Sequence, residues 1–204
     1  MPVWQELHEE LSPFGFVMMT VGFERNVEDA REWIEAARPT HPSLIDTTWM
    51  VADLYHVVNV PTVFWIDETG HLVRPGETAF GSNMFQEFTG VDATQHHALL
   101  RAWVRGESPP PEREAMREYQ DLPTAADQQA RAEFGLGRWL WEHDMADSAV
   151  AHFAEGERLA PNQWTIWRGS MRMQGLEPMG GPEFMEKMTA FIDRGGSMRK
   201  IIPG

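Results

Sequence analysis

The chain has 204 residues, of which 42% are hydrophobic, and it carries a formal net charge of -14 at pH 7. This length allows one domain or two small ones with buried cores. The negative charge argues against nucleic acid and membranes as partners, because nucleic acid and anionic lipid attract basic surfaces. No apolar run approaches the roughly 18 residues of a membrane span, and the first residues lack a signal-peptide pattern, so a cytoplasmic protein is expected.

The N-terminal part of the sequence alternates predicted helices and strands. Apolar side chains spaced by four residues predict a helix from Pro2 to Leu11. The continuous apolar run from Phe16 to Phe23 is typical of a strand covered on both faces. Asn26 is a predicted N-cap, with Asp29 at the capping-box distance, for a helix through Arg38. One apolar stripe is expected to pack this helix on a sheet: Ala30, Trp33, Ile34 and Ala37.

A short strand from Ser43 to Asp46 and a helix from Thr48 to His56 are predicted next. Strands that alternate with helices along the chain are typical of the α/β fold class. We therefore expect an α/β domain with a mixed sheet flanked by helices.

A predicted β-hairpin follows, in which Thr62–Ile66 pairs antiparallel with His71–Arg74 across the turn Asp67–Gly70. The strands are rich in β-branched and aromatic residues, and Gly70 suits a positive φ in the turn. Pro61 cannot donate to a sheet, so it is expected at the mouth of the first strand. The pattern alone favours a trans bond before Pro61, because cis X-Pro bonds are uncommon. The stretch after Pro75 has no clear pattern.

The sequence predicts a domain boundary at a proline-rich linker, residues 106–111. Before it, a helix from Ala93 to Arg105 places Leu99, Leu100 and Trp103 on one side. After it, residues 112–204 read as a small all-α domain. The expected division is therefore 1–105, 106–111 and 112–204.

Within the helical part, several residues fall at the spacing of a tetratricopeptide repeat, a helix–turn–helix of about 34 residues. Asp144 would mark the turn between its two helices, whereas Gly156 and Glu133 depart from the repeat pattern. Further helices are expected at Trp164–Met173 and Glu183–Ile192. The residues at repeat spacing are Leu136, Gly137, Leu140, Ala149, Phe153 and Pro161.

Residues 55–70 resemble the signature Y-x-V-x-x-x-P-T-x-F-x-I-D-x-x-G of thioredoxin-like proteins, and they are most similar to TlpA/ResA-type and AhpC/TSA-related redoxins. The resemblance covers about residues 1–105. It implies a thioredoxin-like fold, a cis Val60–Pro61 bond, and a relation to thiol–disulfide oxidoreductases. It further implies that the backbone at Val60, Pro61 and Thr62 binds extended peptides.

The first residues, Met1–Leu7, resemble the helix that follows the Trp-Cys-x-x-Cys motif in TlpA-type proteins. The resemblance places the first strand and both reactive cysteines upstream of Met1, and the sequence itself contains no cysteine. Two explanations are consistent with this resemblance. The chain descends from a redox protein and has lost its active site, or its start codon is placed too late and the motif lies upstream.

No catalytic residue, cofactor or metal site is predicted. His96 and His97 are adjacent on a helix, so their side chains diverge, and a solvated or capping role is expected. No metal-ligand spacing relates five further histidines to one another: His41, His56, His71, His143 and His152. An acidic run is expected to be a solvated face: Glu112, Glu114, Glu118 and Asp121.

Two functions are consistent with these observations. The chain is either a relative of thiol–disulfide oxidoreductases, redox-inactive as given because a thiolate is required, or a non-catalytic module that binds extended peptides or proteins. A sheet that lacks a strand and a single helical repeat both leave apolar faces uncovered. The two domains could cover each other, or chains could pair, and we expect a homodimer.

Overall fold

A computed structural model describes residues 2–109, 112–120, 122–197 and 202. The chain forms two compact units, Met1–Gln120 with Lys200–Gly204, and Asp121–Arg199. Part of the proline-rich segment, residues 110 and 111, lies outside the described residues, and so do Met1 and Asp121. The domain division expected from the sequence stays a prediction.

The first unit alternates helices and strands, which confirms a mixed α/β class. Its elements are α1 (Pro2–Leu11), β1 (Thr20–Phe23), α2 (Val27–Ala37), β2 (Ser43–Asp46), α3 (Met50–Leu54), β3 (Thr62–Ile66), β4 (Leu72–Thr78), α4 (Gln86–Thr89), α5 (Ala93–Val104) and α6 (Arg113–Arg117).

The strands form two separate two-stranded sheets rather than the single mixed sheet expected. Strands β1 and β2 are parallel, with Thr20 opposite Ser43 and Phe23 opposite Asp46. Strands β3 and β4 form the predicted antiparallel hairpin. Within the described residues, β1 and β3 each pair with one strand only, so each keeps one open edge.

Strand β4 is longer than predicted, because it continues through Pro75 to Thr78. Val63 lies opposite Glu77, and Trp65 lies opposite Arg74. The two residues of β3 are two positions apart, whereas their partners on β4 are three positions apart, so β4 contains one extra residue. This extra residue is a β-bulge, a position at which a sheet tolerates proline. The proline therefore interrupts the regular pairing without ending the strand.

Strand β1 is shorter than the apolar run that predicted it. Only Thr20–Phe23 are in the strand, because β2 offers four partners, and all four residues are half-buried rather than covered on both faces. Phe16, outside the strand, contacts the core of the unit.

Two helix predictions need correction. The Asn26 side chain caps α2 as predicted, accepting from the backbone N–H of Glu28, but Trp33 is 76% exposed and does not pack on a sheet. Helix α3 begins at Met50 rather than Thr48, because the Asp46 carboxylate accepts hydrogen bonds from the backbone N–H groups of Thr48 and Val51. Trp49 between them has a φ of 63°.

The core of the first unit lies between α1, β3 and α5. Leu7, Leu11, Trp65 and Leu100 are buried together. Trp65 stacks on Trp103 with ring centroids 5.2 Å apart. The predicted apolar side of α5 is confirmed, since it supplies Leu100 and Trp103 to this cluster.

The second unit is all-helical, as expected. Its helices are α7 (Ala125–Glu142), α8 (Ala146–Leu159), α9 (Trp164–Met171) and α10 (Pro182–Asp193). A capping box between Thr124 and Asp127 begins α7, and Asp144 with a φ of 60° forms the predicted turn. The packed residues of this unit include Ala130, Phe153, Ile166, Trp167, Met171 and Phe191. Within the described residues, no helix has both the length and the apolar character needed to cross a membrane.

Candidate functional site

The loop that precedes β3 holds the three residues singled out from the sequence. The Val60–Pro61 bond is cis, as the resemblance implies, and Thr62 begins the strand. The Thr62 hydroxyl donates to the backbone carbonyl oxygen of Asn59 at 2.5 Å, which closes the loop on itself. The side chain of Val60 is 63% exposed. The loop therefore presents one apolar side chain and adjoining backbone at the start of β3.

Close packing of Phe64 on β3 against Tyr55 and β4 holds this loop in place. The ring of Phe64 lies edge-on to Tyr55, with centroids 5.1 Å apart. A Cβ on Gly76 would lie 2.5 Å from Phe64 Cε1, so only glycine lets β4 approach the ring this closely. At the far end of β3, the Asp67 carboxylate accepts from the backbone N–H groups of Thr69 and His71, as expected of a turn residue. Both ends of the strand are thus held.

The prediction that His96 and His97 are solvated is wrong. They are 6% and 7% exposed, because α5 turns this part of its surface toward α1 and the β3–β4 hairpin. His96 lies edge-on to Trp65, and His97 lies edge-on to Trp4 at 5.4 Å. Burial lowers the pKa of His97, and the nearby charges of His96 and Arg101 lower it further.

Sequence reasoning did not find a buried cluster formed by an ion pair and a histidine: Arg74, Glu77 and His96. Arg74 and Glu77 are each 4% exposed and form a two-point ion pair, with Nη2 to Oε2 at 3.1 Å. Nδ1 of His96 lies 3.0 Å from Oε1 of Glu77. Burial would raise the pKa of Glu77, but hydrogen bonds from His96 and Arg74 and their charges hold it below its usual value.

The other titratable residues considered from the sequence are dispersed. His41 is buried with Nδ1 3.1 Å from Gln5 Oε1, and His152 pairs with Glu133 at 2.6 Å. His143 stacks on Trp139. The acidic residues Glu112, Glu114 and Glu118 are exposed, as predicted. Across the described ranges, no group of three or more His, Asp or Glu side chains could hold a metal ion.

No family model, curated protein or solved structure matches this chain. Its function is therefore argued from its own residues: the loop Val60–Thr62, the open edge of β3 and the cluster of Arg74, Glu77 and His96.

Proposed function

We propose that the first unit is a thioredoxin-like domain, related to the redoxins, and that it binds extended peptides at the loop Val60–Thr62 without thiol chemistry. The observation that carries this proposal is the position of the loop. An exposed Val60 leads directly into β3, a strand that pairs on one side only within the described residues.

An open strand edge offers unpaired backbone N–H and C=O groups to another extended chain. Strand addition of this kind uses main-chain hydrogen bonds for affinity and side-chain contacts for selectivity. Val60 would supply one such apolar contact. Because the backbone does the binding, the interaction needs no cysteine, and a peptide held without a covalent bond is expected to bind weakly.

The binding test uses a fluorescent, S-carboxymethylated insulin B chain, an extended peptide without free thiols. We expect the full chain to raise its anisotropy. Val60→Asp should weaken binding by about tenfold or more, which is about 1.4 kcal/mol, because it places a charge where an apolar contact is needed. Met84→Asp is the matched control, since Met84 is also exposed in the first unit (79%) and the charge change is the same. Equal effects of the two substitutions, or no binding by the unmodified chain, would contradict the proposal.

The redox test asks whether these 204 residues catalyse thiol exchange. They contain no cysteine, and disulfide exchange requires a thiolate to attack a disulfide sulfur. In an insulin precipitation assay with dithiothreitol, the chain should give the same lag as buffer. A shortened lag would show that the mechanism has been misread.

We also propose that α7 and α8 form a tetratricopeptide-like pair. Support comes from the contact of Gly137 with Phe153: a Cβ on Gly137 would lie 2.7 Å from the ring. Two of the residues at repeat spacing therefore touch across the helix pair. A pair of this kind would give the second unit its own surface for a partner protein.

A further inference from the structure

A residue near the end of the sequence lies in the first unit, against the buried ion pair. Ile202 is 4% exposed, although it is 128 residues away from Arg74 in the chain. Its carbonyl oxygen accepts from Arg74 Nη2 at 2.8 Å, and its N–H donates to Glu77 Oε2 at 3.3 Å. Both main-chain groups of one residue are therefore held by the opposite charges of one ion pair.

Ion-pair contacts of this kind recognise a peptide main chain. A buried ion pair is costly unless further hydrogen bonds satisfy its donors and acceptors, and the main chain of Ile202 supplies two of them. Hydrogen bonds to charged groups are also stronger than those between neutral groups. The aliphatic side chain of Ile202 is buried as well, so the site binds one apolar side chain together with the main chain of the same residue.

Among the residues that the structure describes, Ile202 does not fill the site. A cavity of about 100 Å³ remains beside it, lined also by Val91, His96 and Leu99. This is roughly the volume that three water molecules occupy in the liquid. Within the part of the chain that the structure describes, the buried Nε2 of His96 has no hydrogen-bond partner. A ligand larger than isoleucine would therefore find space beside the ion pair.

We propose that Arg74, Glu77 and His96 form a peptide-binding site for an aliphatic residue, and that Ile202 is its resident, exchangeable ligand. Ile202 then competes with an aliphatic residue of any external peptide for this site. The inference is independent of peptide binding at the loop Val60–Thr62, because it uses a different strand and different contacts.

The test uses a labelled peptide with the sequence of residues 197–204 as the probe and the full chain as the receptor. Ile202→Asp should free the site of its resident ligand, because it places a carboxylate beside Glu77 in a buried site. We expect this variant to bind the probe at least about tenfold more tightly than the unmodified chain. Ile192→Asp is the matched control, since Ile192 is 57% exposed in α10 and its substitution leaves the site occupied.

The probe itself supplies a second comparison, in which two probes are measured on the same receptor chain. A probe N-methylated at the position of Ile202 lacks the N–H that donates to Glu77, so it should bind the Ile202→Asp chain at least about tenfold more weakly. Equal affinity of the two probes, or no binding by the Ile202→Asp chain, would overturn the proposal.

Exchange can also be observed in the unmodified chain. With ¹⁵N-labelled protein, excess unlabelled probe should shift the amide signal of Ile202 toward its position in the free peptide. A signal that does not move at saturating probe would show a fixed structural contact and would overturn the proposal.

Discussion

At the scale of single residues, Gly137 is the clearest constraint on the helix pair of the second unit. An added Cβ would meet the Phe153 ring at 2.7 Å and the Ala149 carbonyl oxygen at 3.1 Å. Gly137→Ala should therefore lower the free energy of unfolding by about 1–3 kcal/mol, the usual cost of overpacking. The control is Gly135→Ala on the same helix, where no atom lies within 4 Å of the new Cβ. That change should raise stability by about 0.5–1 kcal/mol. Urea denaturation checks both, and equal effects would contradict the packing described.

The pH dependence of the first unit also rests on single residues. Because burial and the charges of His96 and Arg101 lower the pKa of His97 from 6.5, the folded unit favours its neutral form. The unfolded chain therefore binds a proton at His97 more readily than the folded unit does. The stability that neutral His97 contributes is fully present above pH 6.5, and it is lost as the pH falls through the lower pKa of the folded state.

Denaturation midpoints at about pH 7.5 and about pH 5.5 measure this loss. His97→Gln should reduce the difference between them, because it removes the titrating ring. Part of the difference should remain, because burial also lowers the pKa of His41. An unchanged difference in His97→Gln would contradict this account.

At the scale of elements, the exposed Trp33 and the buried Leu100 make a direct comparison. Both belong to predicted apolar stripes, but Trp33 is 76% exposed and Leu100 is 2% exposed. Leu100→Ala should cost about 2–5 kcal/mol, and Trp33→Ser should stay within about 0.5 kcal/mol. Chemical denaturation, fitted with one transition for each unit, provides the measurement. A large loss in Trp33→Ser would mean that α2 is covered in solution.

The sequence predicted elements well where the local signal and the packing agree. Helix α1, the β3–β4 hairpin and the apolar side of α5 are examples, and the cap at Asn26 is another. Prediction from the sequence failed where a residue distant along the chain determines the local structure. His96 and His97 carry no local sign of the rings that cover them, and Pro75 suggested a strand end although a bulge accommodates it. Glu77 was therefore missed as a site residue.

At the scale of the whole molecule, we expect two chains to pair. The first unit leaves open edges on β1 and β3 within the described residues, and unpaired edges of this kind favour association. It also exposes several large apolar side chains: Leu44, Met50, Leu54 and Val60. Light scattering at micromolar concentrations should give about twice 23.3 kDa, with dissociation on dilution. A constant mass of 23.3 kDa would exclude the dimer.

The bulge in β4 has a geometric consequence for the buried ion pair. In a regular strand, residues three positions apart point to opposite faces, because side chains alternate. The extra residue at the bulge reverses this parity between Arg74 and Glu77, which lie opposite Trp65 and Val63, two residues on one face of β3. The extra residue at the bulge therefore places the Arg74 guanidinium and the Glu77 carboxylate on the same face of β4. Without the bulge, the same three-residue spacing would place the two charges on opposite faces of the hairpin.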